Sequence, residues 1–400
     1  MYHTHTFCRA CGLSTTMVKV ADFGPTPLVN DFRNDADAAA GYAPLEIVVC
    51  THCWLPQLSV VVDPDILYSH YAYQHSPGAT LTKHFDELIQ FLHQERPTLG
   101  NVLEFGSNDG LLLETLRVLP DVGTVLGIDP AGHLCAAANR RGVPTITGMF
   151  GTATAHEAIV TYGKFDVVLG RNVFAHVDDW LDLLRGANAV TNDDAIVCIE
   201  VQYSPKLLEN CEWDQVYHEH LSYLNFSALS ALCARTNFYI KSYQMSPFHG
   251  GSILVVLRKK PQRESMALPD EVHGLTQWHD FRKRADVLIG EVRELVTWHA
   301  RRGCLIAGYG AAAKATNWIN ACKFTRQDIA YVVDSAPFKQ GKLVPGSDIR
   351  VVASDAIAPR PDYMIMFAWN YEEEILEKEQ AYLEAGGKFI VPMPALHMVP

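Results

Sequence analysis

Two Cys-x-x-Cys pairs close to the start of the chain, and two well-separated segments that read as strand, glycine turn and helix, predict an α/β protein: a small zinc-binding module followed by two Rossmann-like doubly wound domains. The composition shifts place the divisions at 1–66, 67–262 and 263–400. A length of 400 residues is too much for one ordinary core, and a mean hydropathy of +0.00 fits folded globular units. The formal net charge of −12 gives no global attraction to nucleic acid. No apolar stretch is long enough to cross a bilayer, and Met1 to Thr6 lack the basic-then-apolar pattern of a secretion signal. A cytoplasmic location without nucleic-acid or membrane partner is therefore expected, and there the ten cysteines serve as thiols or metal ligands rather than disulfides.

Cys8-Arg9-Ala10-Cys11 and Cys50-Thr51-His52-Cys53 each put two thiolates within reach of one tetrahedral ion. Together Cys8, Cys11, Cys50 and Cys53 close a structural zinc site with no open coordination position. The alternative, a redox dithiol, needs only one pair beside a helix N-terminus. His3, His5 and His52 read as bystanders, with replacement of one cysteine ligand left open. Tyr68 to Gly78 then crowds tyrosine and histidine into a turn that could supply phenols to a site, and Thr80 to Glu95 has helical apolar spacing.

The first glycine turn follows Asn101-Val102-Leu103-Glu104-Phe105 as Gly106-Ser107-Asn108-Asp109-Gly110, and Leu111 to Val118 continue as the buried face of a helix. Glycine there lets a ligand approach backbone N–H groups. Asp129, at the tip of the next apolar segment, is placed to accept hydrogen bonds from ribose hydroxyls. A carboxylate beside the turn would repel a pyrophosphate, whereas S-adenosylmethionine has no phosphate and a cationic amino group and sulfonium. Glu104 and Asp129 thus favour S-adenosylmethionine over a dinucleotide. Thr145 to Phe150 ends a third strand near the adenine, which brings in Met149. Phe165 to Gly170 is a fourth strand, after which Asn172 and His176 face the ligand crevice at the carboxyl ends of the sheet.

A fifth strand, Ala195 to Val201, leads to an insertion holding Tyr217-His218-Glu219-His220. A carboxylate bonded to one imidazole nitrogen raises the basicity of the other, as a general base requires. Metal ligation by His218, Glu219 and His220 is the competing reading, but the spacing is not His-Glu-x-x-His, and a structural role for the histidines is the other. Phe248-His249-Gly250-Gly251-Ser252 precedes a strand at Ile253 to Leu257 and marks either a backbone approach to phosphate or sugar or a hairpin turn. Lys259-Lys260-Pro261 reads as a linker, and Asp280 to Arg301 as a bridging helix. In the last unit, Gly308-Tyr309-Gly310 with Ala313 matches a dinucleotide fingerprint, Asp334 ends the second strand, Lys314 lies in the first helical turn where it could meet a diphosphate, and Phe367 to Tyr371 close a later strand at the same edge. A degenerate Rossmann unit kept for packing is the alternative.

On these residues the chain resembles the S-adenosylmethionine-dependent nucleotide-sugar 3-C-methyltransferases. The resemblance runs through the paired Cys-x-x-Cys module, the Glu104 to Gly110 turn, Asn172 to His176, Tyr217 to His220, His249 to Ser252 and Gly308 to Lys314. It implies that Glu104, Gly106, Asn108, Asp129, Met149 and Asn172 bind the cofactor. The second glycine motif would then serve the substrate, with His249, Gly251, Tyr309, Lys314, Asn317, Asp334 and Asn370 as its binding set. It further implies base-catalysed enolate formation at C-3 of a nucleotide-linked 4-keto-6-deoxyhexose and in-line methyl transfer, with His220 as base, Glu219 and Tyr217 as its neighbours, His176 near the sugar and Tyr71 from the aromatic loop. Tyr73 competes with Tyr71 for that place. A zinc-ribbon RNA methyltransferase, an NAD-dependent sugar oxidoreductase and a non-catalytic nucleotide-binding scaffold are the other readings. Whether the nucleotide is thymidine or guanosine diphosphate stays open, and three units in one chain are compatible with a monomer.

Overall fold

The computed structural model describes residues 1–34, 41–68, 78–247, 250–260, 266–357 and 359–400. The N-terminal unit is a set of short antiparallel strands: β1 (Tyr2–Thr4), β2 (Met17–Pro27), β3 (Tyr42–Cys50), β4 (Pro56–Leu58) and β5 (Val60–Val62). β2, β3 and β4 form one sheet and β1 pairs with β5. Leu45, Ile47 and Val49 alternate with less buried neighbours along β3, the pattern of a sheet with one covered face.

The middle unit has β6 (Gly100–Phe105), β7 (Val122–Asp129), β8 (Thr145–Thr147), β9 (Phe165–Arg171), β10 (Thr191–Gln202), β11 (Phe238–Ser246) and β12 (Ser252–Lys259). Their order across the sheet is β11-β12-β10-β9-β6-β7-β8, with β6 to β10 parallel and β11 and β12 antiparallel. Both faces are covered. Val102, Val167 and Ile196 pack on one side with Phe85, Leu88 and Leu113, while Leu103, Val168 and Val197 pack on the other with Trp180 and Leu183. This two-residue alternation within continuously apolar strands is what a doubly wound parallel sheet requires. Strand order reverses between β6 and β9, which opens a crevice at their carboxyl ends.

The last unit repeats the arrangement with β13 (Ile306–Tyr309), β14 (Tyr331–Val333), β15 (Arg350–Val352), β16 (Tyr363–Met366), β17 (Lys388–Val391) and β18 (His397–Val399), ordered β15-β14-β13-β16-β17-β18. Its reversal lies between β13 and β16. Gly308 is needed for packing there: a Cβ would come within 2.7 Å of the Phe367 ring and 2.9 Å of Val332. The bridging helix begins earlier than its apolar spacing indicates, at Leu275, and runs to Ala300. It joins the cores of the outer units, since Trp278, Phe281, Val292 and Val296 share one apolar cluster with Val20 and Ile47 of the first unit and Ile306 and Phe389 of the last. Ahead of it, Glu271 accepts from Tyr203 Oη at 2.8 Å and Phe226 N at 2.7 Å, which pins the linker to the middle unit.

The middle and last units are also joined by buried polar contacts. Asp214 Oδ2 accepts from Trp318 Nε1 at 3.0 Å and from Trp369 Nε1 at 2.8 Å, and Asn317 Nδ2 donates to the carbonyls of Asp214 and Val216, each at 2.9 Å. An Asp214→Ala change leaves two indole N–H groups without a partner, and we expect it to lower unfolding free energy by about 2–4 kcal/mol in a denaturant titration.

Candidate active site

The four cysteine Sγ atoms lie within 4.8 Å of one another, with Cys8 and Cys53 at 3.4 Å and Cys11 and Cys50 at 3.6 Å. These separations are too long for disulfides, at about 2.05 Å. They fit one zinc ion, because Zn–S bonds of about 2.3 Å in a tetrahedron put sulfurs about 3.8 Å apart. The hairpin turns that carry the ligands are closed by Gly12 N to Cys8 O and Trp54 N to Cys50 O, both at 2.8 Å. No histidine is required. His3 and His5 converge instead on Asp178, but that carboxylate is already 2.8 Å from the buried Arg9 guanidinium, so the group is an ion-pair network.

A cavity of about 740 Å³ opens between the carboxyl ends of the two parallel sheets, within the range of about 300–1,000 Å³ usual for small-molecule sites. Gly106, Asn108, Asp129, Met149 and Asn172 line one end. Gly106 has φ +63°, and a Cβ there would come within 2.6 Å of Val173. Asp129 accepts from Asn108 N and from Ala131 N, both at 2.8 Å, which shapes the turn around the lining. Glu104 is fully buried beneath the wall, and Arg171, at 3.0 Å from it, lines the cavity. Burial pushes the Glu104 carboxyl up to about 7 even though Arg171 works in the opposite direction. Its Oε2 has no hydrogen-bond donor among the described residues, an acceptor beneath the end of the cavity where the sequence places a cationic ligand.

The middle of the cavity holds His176, Tyr217, Glu219 and His220. His220 Nδ1 is 2.8 Å from the Gln215 carbonyl, so Nδ1 carries the proton and Nε2 the lone pair, which accepts from Tyr217 Oη at 2.7 Å. Here too the expectation changes: a backbone carbonyl, not Glu219, fixes the tautomer. Glu219 accepts from Asn30 Nδ2 at 2.7 Å, and burial pushes its carboxyl up to about 7. The His176 and His220 rings meet edge to face at 5.0 Å, and enclosure holds His176 down at about 4, neutral near pH 7. His218 is structural: its Nε2 donates to the Ala43 and Pro44 carbonyls at 3.2 Å, which leaves no ligand pair with His220. Tyr71, Tyr73 and His249 lie outside the described residues.

The last unit supplies the opposite wall. Lys314 and Asp334 line the cavity. Lys314 Nζ is buried, 2.9 Å from Asn370 Oδ1 and 4.1 Å from the centre of the Trp369 ring; burial lowers its pKa while Asp214 and Glu212 oppose that change. Asp334 accepts from Ala311 N at 2.7 Å and Ala336 N at 2.8 Å and pairs with Lys339 at 3.2 Å. Tyr309, Asn317, Gly251 and Asn370 are not among the residues that line it. Tyr309 donates to Glu379 at 2.8 Å, Asn317 grips the 214–216 backbone, Gly251 packs against Lys206 while its carbonyl accepts from Tyr203 N, and Asn370 holds Lys314 from behind.

Several lining residues have no local sequence signature. Asn30 comes from the first unit and acts through Glu219. Tyr68 stands 3.4 Å from His176 Nδ1, at the very start of the aromatic stretch. Gln215 contributes a carbonyl, which a side-chain pattern cannot reveal. Arg171 was legible in principle, as a cation ending the strand beside the one that carries Glu104.

Family models match the chain in three parts: a zinc binding domain over residues 8–68, a methyltransferase domain over 78–243 and a C-methyltransferase C-terminal domain over 247–394. The C-methyltransferase NovU of Streptomyces niveus is 36% identical, with 97% of this chain and 95% of that protein aligned. The chain belongs to the C-methyltransferase family. Among solved structures, the magnesium protoporphyrin IX methyltransferase of Synechocystis PCC 6803 with bound SAH aligns over 49% of this C-methyltransferase and 100% of that chain, at 13% identity and a TM-score of 0.37. The N-methyltransferase NodS of Bradyrhizobium japonicum WM9 aligns over 45% of this chain and 97% of that one, at 10% identity and a TM-score of 0.34. S-adenosylmethionine is the cofactor of the methyltransferase domain, and zinc is the ion suited to the four-cysteine cluster.

Two outcomes test this description. Glu219 binds its proton more tightly in the folded chain, about 7 against an ordinary 4.5, so the stability it contributes is full at low pH and lost as pH rises through about 7. We expect the unfolding free energy of the wild type to fall relative to Glu219→Gln between about pH 4.5 and 7 and to run parallel outside that window. A strong chelator should remove one zinc per chain and abolish the cooperative unfolding of the first unit, measured by metal analysis and calorimetry.

Proposed function

We propose that this C-methyltransferase methylates C-3 of a nucleotide-linked 4-keto-6-deoxyhexose, with His220 as the base. The observation that carries the reading is the fixed tautomer of His220: an imidazole with its proton held on the Gln215 carbonyl and its Nε2 turned toward Tyr217 in a cavity shared by two sheet edges. A ketone at C-4 acidifies the hydrogen on C-3. His220 Nε2 takes that proton, the C–H electron pair becomes the enolate, and charge develops on the C-4 oxygen. Tyr217 Oη would turn its hydrogen from His220 Nε2 to that oxygen, freeing the Nε2 lone pair for the C-3 proton, and the neutral His176 ring borders the same space. S-adenosylmethionine, when bound, would supply an electrophilic methyl group to the enolate carbon, its S–CH3 bond breaking so that the sulfur leaves as a neutral thioether, and Gly106, Asn108, Asp129, Met149 and Asn172 are the residues that would hold it.

Lys314 and Lys339 give the far wall two cationic side chains, one buried and one paired with Asp334, which supports a phosphate-bearing substrate at that end. The balance of thymidine against guanosine recognition is decided by experiment. Incubation with S-adenosylmethionine and either thymidine- or guanosine-diphosphate 4-keto-6-deoxyhexose should add one methyl mass to one of the two sugars. His220→Gln should lower turnover by about 10²–10⁴-fold while cofactor binding, measured by calorimetry, stays intact. Near-normal turnover in that variant would remove His220 as the base.

A further inference from the structure

Arg9 sits between two cysteine ligands in sequence, yet its side chain leaves the metal module. It is 2% exposed, and its guanidinium reaches Asp178 of the middle unit, with Nε and Nη2 at 3.0 and 2.8 Å from the same carboxylate oxygen. Its backbone N–H donates to Gln57 Oε1 at 3.0 Å, and Nη1 points at the Leu58 carbonyl at 3.4 Å. Asp178 lies two residues beyond His176, in the turn between β9 and the helix Trp180–Val190. Leu58 N in turn donates to Leu221 O at 2.9 Å, Tyr223 N to Pro56 O at 2.9 Å, and Leu221 N to Ala175 O at 2.8 Å. The Cys8 turn, β4, the turn that carries His176 and the strand-like segment after His220 therefore close a ring, and Arg9 is its ionic link.

We propose that Arg9 is a positioning residue for the active site: by holding Asp178 it sets the place of His176, so that the zinc module aligns the catalytic cavity as well as folding the N-terminus. The proposal rests on the reading of His176 as a site residue. Three features support a positioning role over simple surface pairing. Arg9 is buried, whereas exposed ion pairs contribute little. Its planar fork makes contacts with two different segments, which lysine cannot reproduce. The Asp178 side chain is 40% exposed, and the Arg9 guanidinium at 2.8 Å and His5 at 3.2 Å are the partners that hold it.

The test uses the full chain loaded with zinc and compares Arg9→Met, Arg9→Lys and Asp178→Asn. In Arg9→Met we expect unchanged zinc content and S-adenosylmethionine affinity, a kcat lower by about 10–100-fold with a raised KM for the nucleotide sugar, and partial recovery in Arg9→Lys. Imidazole nitrogen resonances of His176, assigned with His176→Gln, should move in Arg9→Met, while those of His218, buried on the Ala43 and Pro44 carbonyls, should not. Wild-type kcat and unmoved His176 resonances in a zinc-loaded Arg9→Met protein would overturn the proposal. If Arg9→Met fails to fold or loses zinc, Asp178→Asn decides: a shifted His176 and reduced kcat support positioning, and an unshifted His176 with normal kcat overturns it. Unchanged methylation in His176→Gln would instead defeat the parent reading of the site, while the resonance shift would still report whether Arg9 places the ring.

Discussion

The hydrogen bond from His220 Nδ1 to the Gln215 carbonyl is the constraint on which the rest of the site depends. A histidine in an enclosed cavity is useful as a base only if its lone pair faces the substrate, and a backbone carbonyl enforces that without introducing a second titrating group. The carbonyl itself has to stay still. Its immediate neighbours are gripped from the last unit by Asn317, whose amide donates to Asp214 O and Val216 O, and by the Trp318 and Trp369 indoles on the Asp214 carboxylate. The last unit thus steadies the backbone beside Gln215 in the middle unit, in addition to forming the opposite wall of the cavity.

The same seam explains why so many ionisable groups are buried there. Glu212 and Asp214 both face Lys314, and burial pushes Glu212 up to about 7. An isolated charge in such a place is costly, but each of these groups has polar partners: Gln202 and Asn210 for Glu212, two indoles for Asp214, and Asn370 with the Trp369 ring for Lys314. The arrangement favours one docking of the two sheets over others, because a slipped interface would leave these groups without partners. That is how a cavity built from separate units keeps the spacing a methyl transfer needs.

Much of this was legible in the chain. The parallel sheets announce themselves as apolar strands ending in Asp129 and Asp334, and the zinc cluster as paired Cys-x-x-Cys spacing, because both signals are local. Strand order and the shared cavity follow from the doubly wound topology. What sequence could not show was pairing across the units. Glu219 meets Asn30 from the first unit, and Asn317 of the last unit turns to the 214–216 backbone of the middle one. In the second glycine motif Gly308 makes room for Phe367, a packing demand, while Ala312, Ala313 and Lys314 line the cavity. Asp334 likewise shapes the loops at the end of β14 through two backbone amides and Lys339, as Asp129 shapes the first turn.

The most direct test of the central claim is hydrogen exchange at the sugar. The nucleotide-linked 4-keto-6-deoxyhexose is incubated with the zinc-loaded protein in deuterated water without a methyl donor, and the C-3 position is followed by NMR. If His220 removes the C-3 proton as a free-standing step, deuterium appears at C-3 with the native protein and its entry slows by orders of magnitude in His220→Gln. Exchange at the native rate in the variant would contradict the assignment of the base.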